Sequence, residues 1–173
     1  YYVVAKFTTE VLVTAIQTAI LVVTIYYMVD FSGDILMFFL ASYALSMTTS
    51  AQAILGAALA GDNIKLAQQL LPLFFTPQML FAGFFVAPEF IPWWLRWAQN
   101  VCSMTYATRL MIVAEFENCS EKVSELLNCN EMLETTGSNP EDVWLYWLLL
   151  GVLFLVCRFF AFLVLQRSAS TFY

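Results

Sequence analysis

Four stretches of about twenty residues carry almost no charge: residues 11–29, 35–59, 66–86 and 143–165. The hydrocarbon core of a bilayer is about 30 Å thick, and a helix needs about 20 apolar residues to cross it. Inside that core every backbone amide and carbonyl must be bonded within the protein, which a helix does locally. The four windows predict an all-α fold, a polytopic membrane bundle with four transmembrane helices. Composition agrees, at 61% hydrophobic and only 12% charged, about half the charge of an ordinary soluble domain. The net charge of −6 comes mostly from acids between Glu115 and Asp142, so it points to no nucleic-acid partner.

Between the windows the chain turns. Asp30, Ser32, Gly33 and Asp34 make a tight turn, and Gly61, Asp62, Asn63 and Lys65 make another. Thr14, Gln17, Thr18 and Thr24 share one face of the first span, and Ser42, Ser46, Thr49 and Ser50 share one face of the second. Such faces suit helix contact better than lipid. Residues 1–10, with Lys6 and Glu10, read as an interfacial lead-in with no signal-peptide character, as if cut from something longer. Gly56 to Gly61 has the spacing of half a phosphate loop. Asp62-Asn63 stands where Lys-Ser/Thr is needed, so the glycines are assigned to packing.

The third span is the least regular. Pro72 and Pro77 interrupt it, and Thr76 and Gln78 place polar atoms near its middle. Proline frees a carbonyl one turn back and bends the helix. Gln78 can line a transport path, or it can bond a neighbouring helix; the pattern does not choose. After this span come Pro88, Pro92, and Trp93, Trp94 and Trp97 with Arg96 among them. Trp and Arg at the end of an apolar run mark a membrane–water boundary. Residues 91–116 contain Arg96, Gln99, Asn100 and Arg109, so they fit an external re-entrant helical segment better than a fifth crossing.

Residues 117–142 form a short, acidic extracellular loop. Four spans place both ends on one side together with Lys6, Lys65, Arg158 and Arg167, and the positive-inside rule makes that side cytoplasmic. Asn118-Cys119-Ser120 matches the N-glycosylation acceptor and lies on the opposite side. Cys119 and Cys129 can pair in that oxidising compartment; free thiols or a bridge to another subunit are the alternatives. Cys102 and Cys157 stand in apolar context and read as inert. There is no histidine, no GxxxxGK[ST] and no GxSxG. No catalytic site, metal site or nucleotide site is therefore expected in this chain. Passage, gating, packing and partner recognition remain.

The ordered residues Phe81-Ala82-Gly83-Phe84-Phe85-Val86, Ile91-Pro92-Trp93-Trp94-Leu95-Arg96-Trp97, Tyr106-Ala107 and Glu115-Phe116 resemble a known family. They are similar to the fifth span and external re-entrant helices of G-subfamily ABC transporters, of the White and pleiotropic-drug-resistance type. Tyr2-Val3-Val4-Ala5-Lys6 with Glu10, and Tyr26-Tyr27-Met28-Val29, resemble that family's third span. The resemblance implies the C-terminal part of a transmembrane domain, the four spans being the family's third to sixth. It implies ATP-driven export of amphipathic substrates such as lipids, sterols and xenobiotics, by alternating access, from the plasma membrane. The implied partners are a nucleotide-binding domain, which holds ATP and Mg2+ outside this chain, and a second transmembrane half, as homodimer, heterodimer or full-length pseudo-dimer. It further implies a hydrophobic plug at Phe84 and Phe85, cavity-lining positions at Met79 and Thr76, and a loop disulfide at Cys119 and Cys129. The rival reading is a non-transporting membrane scaffold or assembly subunit with the same packing faces and no pathway.

Overall fold

The computed structural model describes residues 2–29, 33–61, 63–81, 102–116, 138 and 140–171. Every regular element among them is helical: α1 (Tyr2–Val29), α2 (Ile35–Ala60), α3 (Ile64–Phe81), α4 (Ser103–Phe116) and α5 (Val143–Thr171), with a single 3-10 turn at Pro140–Asp142 ahead of α5. Three of these helices are long and apolar enough to cross a membrane, over Ala5–Val29, Ile35–Ala60 and Val143–Val164. The window at 35–59 thus corresponds to α2 and the window at 143–165 to the membrane part of α5. The first helix starts earlier than the window at 11–29. The lead-in is itself helical, and Glu10 lies inside the apolar stretch. The third window is represented by α3 as far as Phe81; residues 82–86 lie outside the described residues.

The bundle is organised around α2, which touches each of the other four helices. Its turn from α3 uses Gly61, whose φ of 57° is disfavoured for other residues. The core lies between α2, α4 and α5, where Ala41, Tyr106, Ala107, Leu110, Tyr146 and Leu150 are buried together. Lipid tails are as apolar as leucine, so in a bilayer this packing is held by shape and dispersion more than by water exclusion. Ala41 and Ala107, both fully buried, let α2 and α4 approach closely. Large side chains face outward instead, among them Ile16 and Ile20 on α1 and Leu155 and Phe159 on α5. That inversion suits a lipid solvent.

α4 lies along α2 in the opposite direction. At its start, Ser103 meets Gln52, deep within α2. At its end, Glu115 meets Gly33, just ahead of α2. The turn between α1 and α2 is therefore clamped to the end of α4. Gly33 donates its amide to Glu115 Oε2 at 3.0 Å, and Tyr26 Oη donates to the Gly33 carbonyl at 2.8 Å.

Candidate functional site

Three helices meet around Gln78. Pro72 and Pro77 stand inside α3, yet the helix runs unbroken from Ile64 to Phe81. Its residues divide cleanly between two sides. Leu71, Phe75 and Gln78 are half-buried, while Pro72, Leu73, Thr76, Met79 and Leu80 are exposed. The buried side carries the polar group. Gln78 Nε2 donates to Gln52 Oε1 at 2.9 Å, Gln52 Nε2 donates to Ser103 Oγ at 3.3 Å, and Ser103 Oγ donates to Gln78 Oε1 at 3.2 Å. The three side chains close a ring that joins α2, α3 and α4. Next to it, Cys102 Sγ donates to the Gln78 carbonyl at 3.4 Å. A polar cluster in an apolar bundle rigidifies its surroundings when its groups bond one another, and here each glutamine places one N–H and its side-chain carbonyl oxygen in the ring.

Sequence reasoning grouped Thr76, Gln78 and Met79, and the structure separates them. Gln78 turns in to the ring. Thr76 and Met79 share the outer side of α3, Met79 being 49% exposed. Thr76 Oγ1 donates to the Pro72 carbonyl one turn back at 2.7 Å, which occupies its proton and leaves the methyl outward. Phe84 and Phe85 lie outside the described residues, as do Asn118, Cys119, Cys129, the tryptophan cluster and most of the loop at 117–142. Cys102 and Cys157 are free thiols, the first buried and the second half-buried.

A second polar cluster went unforeseen. Glu10 of α1 accepts from Arg158 Nη2 of α5 at 2.5 Å, and Ser50 Oγ of α2 donates to the same carboxylate oxygen. The Arg158 guanidinium also lies 5.3 Å from the Phe7 ring centre and 5.4 Å from that of Phe154, within range of cation–π attraction. Arg158 is thus held by a carboxylate and two rings. The contact brings the start of α1 and the later part of α5 to one end of the bundle. The available signal was Glu10 itself, a lone acid beside an apolar window; the 148-residue separation from Arg158 hid the pairing.

A third feature is a cleft of about 370 Å³ between α1 and α2, lined by Thr14, Gln17, Thr18, Leu21, Ser42, Leu45, Ser46 and, from α4, Met111. Thr18 Oγ1 crosses it to Ser46 Oγ at 3.4 Å. Among the described residues no group of three or more His, Cys, Asp or Glu side chains is placed to hold a metal ion. The polar groups present can bond one another or a neutral amphipath.

Comparison with known proteins adds two findings. The model of the family described as ABC-2 type transporter matches residues 1–116. The chain is also similar to a protein named ABC transporter G family member STR2, from Medicago truncatula, with 23% identity over 136 residues. That match covers 79% of this chain and 18% of the relative, so the chain spans about a fifth of that protein's length.

Proposed function

The chain belongs to the ABC-2 type transporter family, and from that premise we propose that it is membrane machinery of an ATP-driven exporter of the G-subfamily type. The family match over residues 1–116 carries this reading, and the name of the Medicago relative agrees with it. The exporter moves amphipathic or lipophilic molecules, such as lipids, sterols or xenobiotics, from the cytoplasm or inner leaflet outward. ATP and Mg2+ act at a nucleotide-binding domain outside this chain, and a second transmembrane half completes the translocation path. Alternating access moves this bundle against that second half.

In this reading α3 with its continuation to residue 86 is the pathway helix. Its outer side, with Thr76 and Met79, faces the cargo, and Phe84 and Phe85 form the plug. The Gln52–Gln78–Ser103 ring holds that helix in register against α2 and α4, so the prolines can shape its outer side without loosening it. α4 is the inner leg of a re-entrant segment over 91–116, since its start lies beside the middle of α2 and its end beside Gly33. The termini are cytoplasmic and the loop at 117–142 is external, with Asn118 as its glycosylation site and Cys119–Cys129 as its disulfide. The plasma membrane is the proposed site of export. The test is ATP-dependent transport by the full-length protein in sealed vesicles, with labelled sterols, phospholipids and drugs. Replacing Phe84 and Phe85 by Ala is expected to raise substrate leak or uncouple ATP hydrolysis. Assembled protein that transports no amphipath at all, or transport unchanged by the double substitution, counts against the reading and the plug respectively.

A further inference from the structure

A separate cleft of about 330 Å³ lies between α1 and α5 over the surface of α2. Phe7 and Val11 line it from α1, Met47 from α2, and Leu150, Gly151 and Phe154 from α5. None of the described residues that line it belongs to α3, so it stands apart from the proposed cargo path. Two hydroxyls at its wall are already committed. Tyr43 Oη donates to the Val11 carbonyl at 3.4 Å, and Thr48 Oγ1 donates to the Ala44 carbonyl at 2.7 Å. The surface that remains is apolar and suits a hydrocarbon tail. Gly151 deepens it. Among the described residues no atom stands within 4 Å of a Cβ built there, so this glycine, which weakens a helix interior, leaves an open notch and serves no close contact.

The charge lies at one end. Phe7 and Phe154 flank the Arg158 guanidinium at 5.3 and 5.4 Å. Arg158 is bonded to Glu10, yet its side chain stays 22% exposed. Lys6, one turn before Glu10 and next to the first residue of the span Ala5–Val29, is exposed beside Phe7. Two cations against one carboxylate leave this mouth net positive. We infer that the cleft binds an anionic phospholipid, held as a resident lipid and not as cargo. One tail lies along Val11, Met47 and Gly151, and the phosphate sits at Lys6 and Arg158. Basic pockets between membrane helices attract anionic headgroups, and a long cationic side chain at the edge of an apolar span reaches headgroup level. A zwitterionic lipid brings its own cation and leaves the mouth uncompensated; a sterol fills the cleft without supplying an anion. With the termini cytoplasmic, as proposed above, this mouth opens on the leaflet that carries the anionic lipids. The binding itself depends neither on that orientation nor on the identity of the cargo.

The experiment uses the full-length transporter in phosphatidylcholine nanodiscs that contain a small fraction of a photoreactive lipid. That lipid is either phosphatidylserine or phosphatidylcholine with a diazirine in one tail, and its adducts are mapped by mass spectrometry. The phosphatidylserine probe is expected to label the cleft, within residues 7–11, 43–48 or 147–154, several-fold more than the phosphatidylcholine probe. Lys6→Gln, at an exposed position, is expected to remove most of that preference. Gly151→Leu fills the notch, where its Cβ meets no described atom, and is expected to lower labelling of the cleft by both probes. Equal labelling by the two probes, a preference unchanged by Lys6→Gln, displacement by unlabelled cholesterol but not by unlabelled phosphatidylserine, or no adduct in the cleft overturns the inference. Labelling is read without ATP hydrolysis or transport, so its failure is distinct from failure of the proposed function. Should Gly151→Leu fail to accumulate, the comparison of the two probes with and without Lys6→Gln still decides.

Discussion

The Gly33 amide donates to the Glu115 carboxylate across 82 positions of sequence, and the contact leaves no room for a side chain at residue 33. A Cβ built there stands 2.4 Å from the Ala114 carbonyl oxygen and 2.9 Å from Glu115 Cα. Both obstacles are backbone, so they cannot rotate away. Gly33→Ala therefore has to push the α1–α2 turn off the end of α4. Overpacking of this kind costs about 1–3 kcal/mol. The expected outcome is a lower unfolding temperature for the purified full-length transporter. Glu115→Ala is expected to lower it less, since it removes a bond without creating a clash. Equal stability of Gly33→Ala and wild type by thermal denaturation would show that residue 33 is not held against the end of α4.

Glu10 and Arg158 make a second long-range test. The pair is partly buried, with the Arg158 and Glu10 side chains 22% and 16% exposed; removing one member strands the other charge at a cost below the about 3–5 kcal/mol of a fully buried pair, whereas replacing both by apolar groups of similar size is close to neutral. Glu10→Ala and Arg158→Leu are each expected to reduce the folded yield and the thermal stability sharply. The double variant Glu10→Met with Arg158→Leu is expected to recover most of the loss. Ser50→Ala should have a small effect, because Arg158 continues to hold the carboxylate. Additive losses in the double variant would mean that the two residues act separately.

These two contacts show what the sequence could and could not convey. The apolar windows behind α1, α2 and α5 were legible because membrane crossing needs a minimum length of uncharged chain, and composition alone satisfies it. Partner choice was not legible. Glu10 borders one window and Arg158 lies within another, and only the bundle's geometry sets them 2.5 Å apart. Gln52 sits unremarked among Ser, Thr and Ala on α2, and Ser103 stands at the very start of α4. Their ring with Gln78 depends on where α4 begins along α2, which no local pattern encodes. Likewise the spacing of Thr76, Gln78 and Met79 suggests a common polar region, but a helix turns about 100° per residue and sends position 78 to the other side.

The ring yields its own prediction. Gln78→Leu removes two hydrogen bonds and leaves Gln52 and Ser103 bonded only to each other. Interhelical hydrogen bonds in membranes average about 0.6 kcal/mol, with the best near 1.7. A loss of about 1–3 kcal/mol follows, counting the unsatisfied groups. Gln52→Leu should cost a similar amount, and the pair combined should cost less than the sum, since each alone already breaks the ring. A double-mutant cycle on the unfolding of the full-length transporter measures that shortfall; strict additivity would show that the ring is not a unit.

The outer side of α3 should respond in transport and not in stability. Met79 is half exposed and Thr76 has its hydroxyl committed to Pro72, so neither contributes much to holding the bundle. Met79→Trp adds bulk where the proposed cargo passes and is expected to slow export about tenfold, equivalent to about 1.4 kcal/mol at the rate-limiting step. Thr76→Val keeps the shape and frees the Pro72 carbonyl from its extra bond, and a change below about threefold is expected, under about 0.7 kcal/mol. Both proteins should unfold at the wild-type temperature. Gln78→Leu is expected to show the opposite profile, with stability reduced and substrate preference retained. If Met79→Trp exports the full panel at the wild-type rate while Gln78→Leu alters which substrates are carried, the pathway runs along the ring side of α3 and the assignment of its two sides must be exchanged.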